Sequence, residues 1–134
     1  MIHKTAIIDP KAKIASNVEI GPYCVIGPNV EIGENTIIQS HVHISVSAKI
    51  GKGNKIYPFV SINDPQDLKY NGEPTNLVIG DNCLFMISSH IAHDCQVGNN
   101  VIIANNVPLG GHAIIEDNAH LHSYLEKNQI LFFQ

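Results

Sequence analysis

The amino-acid sequence predicts an all-β protein in which short strands wind in parallel around one axis. Isoleucine stands at eleven positions that are six residues apart, from Ile2 to Ile62, although the chain contains only 21 isoleucines. The same spacing returns in a new phase, with an apolar residue at every sixth position from Ile79 to Leu121. A period of six fits neither the helical period of 3.6 nor a long strand's period of two, so it predicts short strands separated by turns.

A second residue of each repeat refines this prediction. Four positions after each large residue lies another, usually small, residue, such as Ala6, Val18 or Cys24. Three six-residue units form a triangular 18-residue coil, in which large side chains fill the interior, small ones fill the corners, and Gly, Asn and Asp supply the turns. The predicted fold is therefore a left-handed parallel β-helix, a hexapeptide-repeat solenoid of such coils with one protruding loop.

The repeat also predicts the organisation of the chain. The β-helix is expected over residues 1–122, with coils at 1–62 and 79–122. The step from the last isoleucine of the first block to the first of the second is not a multiple of six. Residues 63–78, with two Pro, one Gly and four charged residues, are therefore predicted to be an external loop. Residues 123–134 lack the repeat and form a C-terminal tail.

Composition excludes several classes of function. The net charge is −4 and all eight basic residues are Lys, which argues against a nucleic-acid partner. The three cysteines, Cys24, Cys83 and Cys95, occupy small inward positions, so we expect buried free thiols and a cytoplasmic protein rather than a disulfide framework. The chain has no signal-peptide-like start and no apolar run near the ~18 residues that span a bilayer, so we expect no integral membrane contact.

The stretch SSHIAHDCQVG carries the strongest chemical signal. The 18-residue coil places His93 beside Gly111 and Asp94 beside His112 on the next coil. An imidazole next to an open glycine N–H suits acyl transfer, because the imidazole can deprotonate a hydroxyl while the N–H stabilises the oxyanion. This pattern therefore predicts an acyl-transfer site.

Three other interpretations stay open from the residues alone. His90, which like His93 is expected to point outward, could bind zinc with His93, although two ligands are too few without a neighbouring chain. Ser89, His93 and Asp94 could form a hydrolytic triad, but alternation along a strand disfavours their convergence. The cluster could also be ordinary surface polarity. The other histidines lack such surroundings and are expected on the surface: His3, His41, His43, His120 and His122.

Three segments give the chain a resemblance to a known family. QDLKYNGEPT (Gln66–Thr75), HIAHDCQVGNN (His90–Asn100) and ANNVPLGGH (Ala104–His112) resemble the UDP-N-acetylglucosamine O-acyltransferases of lipid A biosynthesis, over about residues 1–118. The resemblance implies a homotrimer with active sites between subunits. It also implies transfer of an (R)-3-hydroxyacyl chain from acyl carrier protein to the 3-hydroxyl of UDP-N-acetylglucosamine, without a metal or cofactor.

The same resemblance implies roles for individual residues. His93 would be the general base, Asp94 its support and Gly111 the oxyanion donor. The implied substrate contacts are Asp67, Lys69, His90 and His112. Family members carry roughly one more coil before HIAHDC and are about twice as long. Two alternatives therefore remain: another hexapeptide sugar-nucleotide acyl- or acetyltransferase, and a shortened, non-catalytic β-helix remnant.

Overall fold

Short parallel strands, separated by turns, define the fold of the chain. The computed structural model describes residues 1–64 and 75–122, together with the backbone alone of 124–126 and 129–131. These residues contain twenty strands and no helix. Eighteen strands form three parallel sheets of six, and the last two form an antiparallel hairpin. The predicted all-β parallel solenoid is confirmed.

The three sheets are the three sides of the solenoid, and their strands are two or three residues long. The first side contains β1 (Ile7–Ile8), β4 (Val25–Ile26), β7 (His43–Ile44), β10 (Ser61–Ile62), β13 (His90–Ile91) and β16 (Pro108–Leu109). The second contains β2 (Lys13–Ile14), β5 (Glu31–Ile32), β8 (Ala48–Ile50), β11 (Leu77–Ile79), β14 (Gln96–Val97) and β17 (Ile114–Ile115). The third contains β3 (Glu19–Ile20), β6 (Ile37–Ile38), β9 (Lys55–Ile56), β12 (Leu84–Phe85), β15 (Ile102–Ile103) and β18 (His120–Leu121). The hairpin pairs β19 (Tyr124–Glu126) with β20 (Gln129–Leu131).

The strand register gives the coil its length. Ile8 pairs with Ile26, and Ile26 pairs with Ile44, so each strand lies beside the strand that follows it by three repeats. Consecutive strands therefore belong to different sides, and three of them complete one coil. The predicted 18-residue coil is present in the first block, and it returns in the second, where Ile91 pairs with Leu109.

The interior is a stack of the large residues that defined the repeat. Inward isoleucines such as Ile26, Ile44 and Ile62 are at most 1% exposed. Burying each such side chain contributes roughly 1.5–3 kcal/mol. The smaller residue two positions before each of them fills the corner. All three cysteines are of this kind and are buried and free, as predicted, and burial raises the pKa of each thiol.

Two types of residue have different roles at the corners of the solenoid. A residue with positive φ recurs at every sixth position in both blocks, and most of these residues are Asn, Asp or His, which tolerate that conformation better than other side chains. The glycines that follow the strands have a different role from the predicted one. Gly27 does not have positive φ, but a Cβ there would collide with the carbonyl oxygen of Ser45. Such glycines permit the close approach of the next coil.

The loop leaves and rejoins the solenoid at one corner. Across the loop, Ser61 pairs with His90, so the separation between paired strands rises from its usual 18 to 29 residues. Strand β11 begins at the buried Leu77, so the last two residues of the predicted loop belong to the strand. At its base, Asn63 donates hydrogen bonds to the carbonyl of Val46 and the hydroxyl of Thr75. Residues 65–74, and with them the predicted substrate contacts Asp67 and Lys69, lie outside the described residues.

Within the described residues, no helix is long and apolar enough to cross a membrane. In the tail, the described backbone forms the antiparallel β19–β20 hairpin, so it does not continue the parallel coil.

Candidate active site

The candidate site is built from two corners that lie one above the other. One corner follows β13 and carries His93 and Asp94, and the other follows β16 and carries Gly111 and His112. Because β13 and β16 pair one coil apart, the two corners are in register. The backbone N–H of His112 donates to the carbonyl of His93 over 3.1 Å. Asp94 and His112 both have positive φ, at 61° and 62°, which belongs to the turn.

The His93 ring packs directly against Gly111. A Cβ added at Gly111 would lie 2.6 Å from Nε2 of His93 and 2.7 Å from its Cε1, too close for any real side chain. A side chain at this position would therefore displace the His93 ring, whereas the backbone conformation does not itself require glycine, because φ is not positive. The sequence-predicted neighbours do meet in the structure.

Asp94 orients the imidazole of His93. Its Oδ2 lies 2.9 Å from Nδ1 of His93, and its Oδ1 accepts the backbone N–H of Asn76 over 2.8 Å. The hydrogen bond with His93, followed by the Asn76 amide and the nearby His112, lowers the pKa of the Asp94 carboxyl, so the group stays ionised. A neutral imidazole that donates from Nδ1 to this carboxylate keeps its lone pair on Nε2, the nitrogen that faces Gly111.

The amide of Gly111 points out of the solenoid. The Cys95 thiol, buried in the core, donates to the carbonyl of Gly110 over 3.2 Å and holds that oxygen on the core side. The peptide bond is trans, so the N–H of Gly111 points the opposite way. No described residue accepts a hydrogen bond from this N–H. The donor is therefore open to a ligand beside His93.

His90 lies on the same side of the solenoid and is also partly buried. Its Nδ1 is 2.5 Å from the hydroxyl of Ser61, on the adjacent strand β10. Its Nε2 is buried and finds no partner among the described residues. Burial lowers the pKa of His90, and nearby Asp64 offsets part of that effect. His90 is therefore expected to be neutral near pH 7.

The lowered pKa of His90 predicts a pH dependence of stability. In the folded chain His90 binds a proton less readily than in the unfolded chain, whose pKa lies near 6.5. The free energy of unfolding is thus retained above that pH and falls as the pH decreases below it. His90→Gln lacks this contribution, so urea titrations between about pH 5 and 8 should give a shallower acid loss for the variant. Equal slopes in the two proteins would contradict the assignment.

The other interpretations of the histidine stretch fare differently. The side chain of Ser89 is 1% exposed and points into the core, where its hydroxyl finds no described partner, so the triad with His93 and Asp94 is not formed. His93 and Asp94 nevertheless converge, contrary to the expected alternation, because they lie in a corner and not in a strand. Among the residues that the structure describes, the group of side chains that could hold a metal ion is His93, Asp94 and His112, without His90.

Two partners in the site were missed from the sequence. Asn76 lies 18 residues before Asp94, so the coil length alone could have indicated that they are neighbours. Ser61 lies 29 residues before His90, and this pairing depends on the length of the loop, which the repeat does not reveal.

The fold and the site together define the class of protein. The chain belongs to the bacterial transferase hexapeptide family, whose six-repeat model matches residues 1–32, 11–46 and 76–107. Among curated proteins it is similar to the acyl-[acyl-carrier-protein]–UDP-N-acetylglucosamine O-acyltransferase of Thermodesulfovibrio yellowstonii, with 44% identity over 142 residues. That match covers 87% of this chain and 55% of the relative.

Solved structures give the same result. LpxA from Acinetobacter baumannii superposes with a TM-score of 0.74 at 43% identity, covering 89% of this chain and 56% of that one. The UDP-N-acetylglucosamine O-acyltransferase of Moraxella catarrhalis superposes with a TM-score of 0.70 at 41% identity, covering 90% and 60%. The chain thus spans little more than half the length of these relatives. The 142 aligned positions also exceed its own 134 residues, so the curated relative has internal positions without a counterpart here.

Proposed function

We propose that the chain transfers an (R)-3-hydroxyacyl group from acyl carrier protein to the 3-hydroxyl of UDP-N-acetylglucosamine, the first step of lipid A biosynthesis. The observation that carries this proposal is the contact between the His93 ring and Gly111, with Asp94 on the far nitrogen of the ring. A base and an oxyanion donor side by side are the two groups that acyl transfer to a hydroxyl requires.

The proposed reaction is a direct displacement. Nε2 of His93 takes the proton of the sugar hydroxyl while the hydroxyl oxygen attacks the thioester carbonyl. The carbonyl oxygen becomes an oxyanion that accepts the N–H of Gly111. When this intermediate collapses, the carbon–sulfur bond breaks and the imidazolium returns its proton to the leaving thiolate. Asp94 stabilises the transient imidazolium and fixes the tautomer, as its short contact with Nδ1 suits.

The remaining polar groups suit substrate binding. His90 and His112 flank the His93–Gly111 pair on the same surface, and the buried Nε2 of His90 gains a partner if a substrate hydroxyl reaches it. Asp67 and Lys69 complete the proposed contacts from the loop. The proposal further includes a homotrimer, with acyl carrier protein as donor and no cofactor.

The test is a transfer assay with the 134-residue chain, an acyl carrier protein loaded with (R)-3-hydroxyacyl groups, and UDP-N-acetylglucosamine. We expect formation of the 3-O-acylated sugar nucleotide, and titration calorimetry should detect binding of UDP-N-acetylglucosamine alone. Replacing the loaded carrier protein with acetyl-coenzyme A should give no product.

The internal positions of the curated relative that lack a counterpart here favour one competing function, a β-helix that folds without catalysis. Sedimentation analysis alongside the assay separates the two. A folded trimer that neither binds the sugar nucleotide nor transfers the acyl group would establish the non-catalytic alternative.

A further inference from the structure

We propose that the two stacked corners of the candidate active site also bind Zn²⁺, and that bound zinc prevents the imidazole from acting as a base. The inhibitory consequence rests on the proposed function, whereas the binding itself does not. The site consists of His93, Asp94 and His112, whose ligand atoms all lie within 4.8 Å of one another.

The positions of three atoms argue for a single ion. Oδ2 of Asp94 lies 2.9 Å from Nδ1 of His93 and 3.7 Å from Nε2 of His112. Zinc bonds of about 2.0–2.2 Å in a tetrahedron place neighbouring ligand atoms roughly 3.3 Å apart, which lies between these two separations. The two imidazole rings stand at 90° to each other with their centroids 5.2 Å apart. Because no separation among the ligand atoms exceeds 4.8 Å, side-chain rotations can bring all three onto one ion.

The burial of the three residues suits an ion that enters from solvent. His93 and Asp94 are largely enclosed, with side-chain exposures of 14% and 23%. Asp94 is further fixed through its other oxygen, which holds the Asn76 amide. His112 is 73% exposed and free to rotate onto an ion that the other two hold. Three protein ligands leave the fourth position of zinc to water.

The donor set also selects the metal. Two imidazole nitrogens and one carboxylate oxygen suit Zn²⁺, whereas Mg²⁺ and Ca²⁺ require mostly oxygen ligands. The zinc interpretation weighed from the sequence paired His90 with His93 and lacked a third ligand. The structure replaces His90, which is held by Ser61, with His112 from the next coil.

Zinc in this position acts on the base through its tautomer. The ion takes Nδ1 of His93, so the remaining ring proton moves to Nε2, the nitrogen that faces Gly111. A protonated Nε2 cannot accept the proton of a hydroxyl. Zinc also takes the Asp94 carboxylate away from the ring. Binding therefore inhibits transfer and does not activate it.

Calorimetry on the full chain tests the site without any assay of activity. We expect one Zn²⁺ per chain and no heat from Mg²⁺. The affinity should fall about tenfold or more in His112→Ala, because one of three ligands is lost. His120→Ala is the matched control, since His120 is an exposed imidazole outside the cluster, and it should bind as the wild type does. Equal affinity in all three proteins, or a loss in the His120 variant alone, overturns the proposal.

Nitrogen-15 NMR of the wild-type imidazoles needs no variant. Zinc should move the proton of His93 from Nδ1 to Nε2, and an unchanged His93 spectrum at saturating zinc overturns the site. In the transfer assay zinc should inhibit, and stimulation by zinc contradicts the tautomer mechanism. If the chain transfers no acyl group but zinc still switches the tautomer, the proposed function fails while the metal site stands.

Discussion

Replacing His93 with alanine should reduce acyl transfer by about 10²–10⁴-fold, the usual contribution of a positioned general base. The substitution removes the imidazole ring and leaves the backbone in place. The hydrogen bond between the two corners is therefore kept, because it uses the backbone carbonyl of His93. We therefore expect the variant to fold and to keep most of its affinity for the sugar nucleotide. The effect should appear in the rate constant of transfer at saturating substrate, measured with loaded acyl carrier protein.

His122→Ala is the control for that experiment, since His122 is exposed and follows β18 on the third side of the solenoid, away from the corners that follow β13 and β16. It should transfer at the wild-type rate. A His93→Ala variant that keeps the wild-type rate would remove this residue from the mechanism.

Replacing Gly111 with alanine should reduce transfer by about 10²–10⁴-fold, because the new methyl group displaces the general base while the backbone N–H remains. The new methyl group would lie 2.6 Å from Nε2 of His93, so the ring must rotate away from its place beside the amide. That rotation separates the base from the donor and weakens the contact with Asp94. The backbone itself tolerates alanine because φ at this position is not positive.

The neighbouring glycine provides a matched control. A Cβ at Gly110 meets nothing within 4 Å, and its φ is not positive either, so Gly110→Ala should leave both stability and transfer unchanged. Urea midpoints of the two variants should agree with each other. Loss of transfer in both variants, or in neither, would show that the contact with His93 is not what matters.

Much of the fold could be predicted because the large apolar side chains recur with the same six-residue period as the strands. An inward isoleucine every six residues fixes which residue of each strand enters the core, and three such units fix the coil. The role of the glycines was predicted wrongly, because the sequence does not distinguish a glycine that supplies positive φ in a turn from one that permits the close approach of the next coil. Gly27 is of the second kind. The end of the loop was placed two residues late because Leu77 fills a position that is elsewhere small.

Contacts of the site that follow from the coil length could be predicted from the sequence, whereas those that depend on side-chain rotamers could not. Coil length alone brought His93 to Gly111 and Asp94 to His112. The carboxylate of Asp94 turning back onto its own neighbour follows from the positive φ of the corner, which alternation along a strand does not describe. The pairing of Ser61 with His90 depends on the length that the loop adds to one coil, and only the register of the strands supplies that length.

The 18-residue spacing between paired strands also determines which insertions the fold can accept. If one further coil were inserted between β10 and β13, the parallel pairing of the strands would be preserved, because each strand would still have a parallel neighbour. The insertion would nevertheless separate Ser61 from His90, while His93 and Gly111, both beyond the insertion, would stay together. Duplication or loss of a coil can therefore change the strand neighbour of His90 without separating His93 from Gly111.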